Sequence, residues 1–209
     1  IEVENTIGGV CYPLATLQEI SALAIRHGLK VHMDGARLFN ASVATNVAVK
    51  DIAACADTVT FCISKGLGAP VGSLLCGSTE FIAKARAVRK VLGGGMRQVG
   101  ILAAAGIHAL QHHVERLAND HANAKKIAMA LSATSWAHVE LADVETNIVF
   151  FSVEGRDAET AGAVFGRHGI LCTGGGSVVR LVTHLDLSDE DADEVCAIIA
   201  AIDPKEFKS

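Results

Sequence analysis

Asp34 closes the short apolar segment "KVHMD", and Lys65 closes "TVTFCIS", each where strand-forming residues give way to small ones. Taken alone, a lysine at the end of a strand is a solvated loop charge, because lysine is seldom buried. Paired with Asp34 it acquires a second meaning. Lys65 lies 31 positions after Asp34, room enough for a right-handed crossover that makes the two strands parallel neighbours. Both side chains then sit at the carboxyl edge of one sheet, where open α/β sheets bind ligands. Adjacent strands are about 4.8 Å apart, so a carboxylate and an amine there address opposite ends of one flat heteroaromatic ring. Pyridoxal phosphate is such a ring. Its aldehyde condenses with a lysine, and its pyridine nitrogen must stay protonated to draw electrons from a substrate. An anionic Asp34 favours that proton by on the order of several kcal/mol in a covered site. Gly66 and Gly68 let backbone approach closely and leave the lysine room to swing.

The elements that must hold this pair alternate along the chain. "IEVEN" reads as a strand, and "PLATLQEISALAIRHG" as a helix with proline in its first turn, Leu17, Ile20, Leu23 and Ala24 at helical spacing, and Gly28 as its stop. Helical stretches follow from about Ala36 and around "VKDIAACA", then a strand at "GSLLCGS". The next helix, "TEFIAKARAVRKVL", is broken by Gly93, Gly94 and Gly95. From "RQVGILAAAGIHALQ" to about Leu131 the pattern is helical and long. Beyond it, "HVEL", "NIVFFSV" and "VVRLVTH" read as strands separated by helices at "AETAGAVFGRHG" and "SDEDADEVCAIIAAI", the last opened by a Ser188 cap. The expected architecture is an α/β domain with a mainly parallel sheet over residues 1–130 and a smaller α+β domain over residues 131–209.

Half of the residues are hydrophobic but only 4% are aromatic, so the core must be built from Ala, Val, Ile and Leu, as suits strands covered on both faces. The net charge of −5, with no long basic block, argues against nucleic acid. Six cysteines without a C-x-x-C pair read as reduced thiols of an intracellular, cytoplasmic protein. His108 and His112 have metal-ligand spacing, but no Glu or Cys nearby completes a set, and no metal is expected. No apolar run reaches the length of a membrane span, and the N-terminus lacks a signal-peptide pattern. Neither "LGGG" nor "TGGG" makes a G-x-G-x-x-G after a strand, which argues against a nucleotide-binding loop.

Four segments in order, "HMDGARLFNA", "FCISKGLGAPVGS", "LGGGMRQVGILAAAG" and "VRLVTHLD", resemble the threonine aldolases, pyridoxal-phosphate lyases of the aspartate-aminotransferase-like fold (fold type I). The resemblance implies cleavage of a β-hydroxy-α-amino acid, threonine or allo-threonine, to glycine and an aldehyde. β-Elimination, transamination and racemisation are the alternatives that share the same lysine and aspartate. It makes Lys65 the Schiff-base residue and Asp34 the partner of the pyridine nitrogen. Arg37 falls near the cofactor hydroxyl and the substrate carboxylate, and Ser64 on the phosphate. Arg97 reaches the cofactor region, from a neighbouring subunit, or serves as an interface residue. Arg180 clamps the amino-acid carboxylate or is a surface arginine. Asn5 and Thr6 match a segment under the cofactor or form a structural turn, and His184 reads as a packing histidine outside the catalytic set. The resemblance also implies a homodimer or homotetramer, with the glycine-interrupted helices from Ala85 to Leu110 as interface material.

This sequence departs from the family in two places. Members carry about a hundred further residues ahead of the segment matching Ile1, so residues 1–130 correspond to the C-terminal part of the large domain. "ENTIGGV" is also shorter than the family's equivalent. The general base is not identified by any of these motifs.

Overall fold

Pro13 presets the backbone ahead of helix α1 (Leu14–Arg26), which buries Leu17 and ends before Gly28 at φ 65°, a left-handed turn that costs glycine little. The chain then enters β1 (His32–Gly35). Its side chains alternate, with His32 and Asp34 exposed and Met33 and Gly35 buried, the period of a half-covered strand. Helices α2 (Leu38–Thr45) and α3 (Val49–Ala53) form the crossover to β2 (Thr58–Cys62). β1 and β2 pair in parallel with Asp34 opposite Thr60. On the far side of β1, Glu2 forms a parallel bridge to Asp34, and the Asp34 amide donates to the Ile1 carbonyl at 2.8 Å. The next strand, β3 (Ser73–Cys76), returns antiparallel to β2, so the sheet β1-β2-β3 is mixed and is parallel where it carries the pair.

This computed structural model describes residues 1–4 and 9–208, which divide into two compact units. The first is built on Cys11–Leu117 and includes the opening residues of the chain; the second runs onward from Ala118 and includes Gly9 and Val10. In the first, Val3, Leu17, Met33, Leu38, Ile52 and Val59 make one apolar cluster, and Ile63, Leu67, Ala69, Ala109 and Leu117 a second. α4 (Thr79–Val91) is N-capped by Ser78 but buries none of its residues. The long helical pattern of the sequence is interrupted: α5 (Gly100–His112) and α6 (Leu117–Ser132) are separate helices with a break at residues 113–116.

In the second unit, β4 (Ala137–His138), β5 (Ile148–Val153), β6 (Thr173–Gly175) and β7 (Val178–Val182) form an antiparallel sheet of order β4-β5-β7-β6. Helices α7 (Ala158–Arg167) and α8 (Asp189–Ala201) complete it. Its core gathers Leu131, Trp136, Phe151, Phe165, Val179 and Ile199. The "HVEL" strand shrinks to two residues, with a 3-10 turn at Leu141–Asp143, and "TGG" is strand β6 rather than a loop. The Ser188 cap is as expected, since Ser188 and Asp191 form a reciprocal capping box. Among the described residues no helix is long and apolar enough to cross a membrane, and the six cysteines are unbridged.

Candidate functional site

The parallel register decides where the chemistry can sit. Asp34 occupies the exposed face of β1 one residue before its end, and its Oδ1 accepts the Ala36 amide at 3.0 Å, fixing the carboxylate at the strand's carboxyl edge. On the same face, the His32 ring is held between the Thr58 and Thr60 hydroxyls, at 2.8 and 3.1 Å.

Beyond β2, the burial pattern of the loop explains the lysine. Ile63, Leu67 and Ala69 are buried in the second apolar cluster, while Ser64 and Lys65 stay exposed. The loop is tied internally: Ala69 donates to the Ile63 carbonyl at 2.9 Å and Gly68 to the Lys65 carbonyl at 2.8 Å. The Ser64 hydroxyl donates to the Gly72 carbonyl at 3.4 Å. Gly66 is required by space, because a Cβ there would lie 2.8 Å from a Leu117 methyl. Lys65 is therefore exposed on a loop anchored by the buried side chains of Ile63, Leu67 and Ala69.

Arg37 enters from the start of α2. It is buried, and its Nη1 lies 3.5 Å from the Glu4 carboxylate, with only 7% and 0% of the two side chains exposed. Two charges withdrawn from water are tolerated when paired, and the Glu4 carboxylate is one partner of the Arg37 guanidinium. The sequence reading missed Glu4: a glutamate in a strand carries no local sign of a partner 33 positions away.

The edge of the first unit thus assembles Asp34, Arg37, Ser64 and Lys65. Arg97 is exposed on the turn between α4 and α5, beside Gln98 at φ 56°. Arg180 belongs to the second unit, in β7 opposite Phe150, with its guanidinium carbon 6.0 Å from the Phe150 ring centre, a cation–π distance. The packing role expected of His184 does not hold; its side chain is about half exposed and its Nδ1 accepts the Asp186 amide at 3.2 Å in a surface turn. Asn5, Thr6 and most of "ENTIGGV" lie outside the described residues. "LGGG" is the turn that ends α4. The His108 and His112 ring centres lie 4.5 Å apart with the planes tilted by 40°, and among the described residues no group of three or more His, Cys, Asp or Glu is placed to hold a metal ion.

A primary amine raised on a loop, a carboxylate at the adjoining strand end, a hydroxyl and a guanidinium are the donor set that pyridoxal phosphate requires, so the residues present fit that group. The fold is fold type I of the pyridoxal-phosphate enzymes. The chain superposes on threonine aldolase from Leishmania major with a TM-score of 0.79 at 20% identity, covering 95% of this chain and 59% of that one. It superposes on serine palmitoyltransferase from Sphingomonas wittichii with a TM-score of 0.69 at 17% identity, covering 96% and 53%. The family model described as beta-eliminating lyase matches residues 1–154, and the chain belongs to that family. Its relatives include low-specificity L-threonine aldolase 1 of Arabidopsis thaliana, 44% identical over 90% of this chain and 55% of the relative. They also include the low specificity L-threonine aldolase of Escherichia coli K12, 43% identical over 94% and 58%. The chain therefore spans less than two thirds of the length of these relatives.

Proposed function

We propose that this chain carries the cofactor-bearing lysine and its partner carboxylate of a pyridoxal-phosphate-dependent aldol lyase acting on threonine or allo-threonine. The observation that carries the reading is the in-register parallel pairing of β1 with β2, which brings Asp34 and the Lys65 loop to one carboxyl edge. The aldolase names of relatives at 43 and 44% identity support it. In this reading the bound cofactor supplies an electron sink for the pair released when the Cα–Cβ bond breaks. Lys65 would hold the cofactor through its side-chain amine. Asp34 would lie against the ring nitrogen and favour a proton there. Ser64 and Arg97 bind the cofactor, its phosphate falling to Ser64. Arg37, anchored by Glu4, and Arg180 grip the substrate carboxylate, where planar guanidinium groups offer paired N–H donors. Residues 1–130 serve as the C-terminal part of the large domain and residues 131–209 as the small one, in a cytoplasmic homodimer or homotetramer.

The test is an absorbance spectrum of protein mixed with pyridoxal phosphate, before and after borohydride, followed by peptide mapping. A visible band and a reduced label on Lys65 are expected; a label on another lysine would overturn the assignment. Glycine and acetaldehyde from threonine mark the aldol reaction. A second reading, β-elimination, is favoured by the description of the family itself, and pyruvate released from serine in place of glycine from threonine would establish it.

A further inference from the structure

We infer that His113 and Arg116, in the break between α5 and α6, are positioning residues that clamp the Lys65 loop from beneath. The inference rests on Lys65 being the cofactor-bearing lysine, as proposed above. The His113 Nδ1 lies 2.6 Å from the Leu67 carbonyl, and the Arg116 Nη1 donates to the Gly66 carbonyl at 3.4 Å. These carbonyls belong to the two residues that follow Lys65. A carbonyl oxygen only accepts, so Nδ1 of His113 must carry the hydrogen. Leu117, fully buried, closes the same underside: its methyl occupies the space in which any Cβ on Gly66 would have to fit.

Nothing in the sequence of the break forces it. "HHVERL" contains neither glycine nor proline, and a continuous helix would satisfy its backbone groups. What the break does is deliver two side-chain donors to consecutive carbonyls of a loop 46 and 50 positions earlier. Those carbonyls turn toward the break, where His113 and Arg116 meet them, while Lys65 is exposed. The clamp therefore sets the height and direction from which the lysine amine leaves the sheet edge.

The test uses the full chain with and without pyridoxal phosphate. Hydrogen exchange is followed at the Gly68 and Ala69 amides, which donate within the loop. His113→Leu is expected to speed their exchange about three- to tenfold, the loss of one hydrogen bond, and to lower the fraction of bound cofactor that borohydride fixes on Lys65. His113→Asn, which keeps an N–H close to the Nδ1 position, is expected to restore both. Arg116→Met, against Arg116→Lys, gives an independent arm should His113→Leu fail to fold. Unchanged exchange in both the Leu and Met variants would overturn the clamp, as would an Asn variant indistinguishable from Leu. A wild-type chain that captures no cofactor counts against the proposed function, while the exchange comparison without cofactor still decides the clamp.

Discussion

Arg37 and Glu4 are both buried and stand within ion-pair distance, and burying two opposite charges is tolerated when they are paired. Glu4→Gln removes a buried negative charge beside the guanidinium and is expected to lower stability by about 3–5 kcal/mol, read as a fall in the urea midpoint. At the sheet edge the effects fall on chemistry instead. Lys65→Ala is expected to abolish the borohydride label and lower threonine cleavage by more than about a thousandfold. Asp34→Asn is expected to retain the label but lower turnover by about 10²- to 10³-fold, the scale of removing one group that stabilises developing charge. Both are measured as glycine formed per protein at saturating cofactor.

Among the helices, α6 carries a pH dependence of its own. His121 is 7% exposed, and burial, with Lys125 one turn on adding to it, pulls its pKa down from 6.5 to about 4. The unfolded chain binds this proton at higher pH than the folded one, so stability is fully present above about pH 6.5 and drains away as pH falls toward 4. The whole effect is about 3 kcal/mol. Urea unfolding at pH 7.5 and 5 samples about 2 kcal/mol of it, and His121→Gln is expected to flatten the dependence. Elements with local signals were legible in sequence. Pro13 and Gly28 bracket α1, Ser188 opens α8, and the strand-forming residues of β1 and β2 lead to Asp34 and Lys65. The break at residues 113–116 was not, because its bonds run to residues far outside any local window. β6 was missed for a related reason: two glycines look like a loop until β7 supplies the ladder. Glu4 escaped notice because an ion pair is a property of the fold rather than of a short segment.

At the scale of the whole molecule, the first unit presents much uncovered apolar surface. Leu74, Leu75, Val88, Val91, Leu92 and Ile101 are all exposed, from 37% at Leu74 to 85% at Val91, more than scattered surface residues account for. The proposed homo-oligomer would bury residues of this kind, so Val88→Glu with Leu92→Glu is expected to reduce the mass measured by light scattering. All four residues of β3 are exposed, at the end of its sheet, and the last of them, Cys76, carries a free thiol. Wherever two such rims meet, oxygen can weld them: a preparation kept without reductant is expected to accumulate a covalent dimer on a non-reducing gel, and Cys76→Ser to remove it.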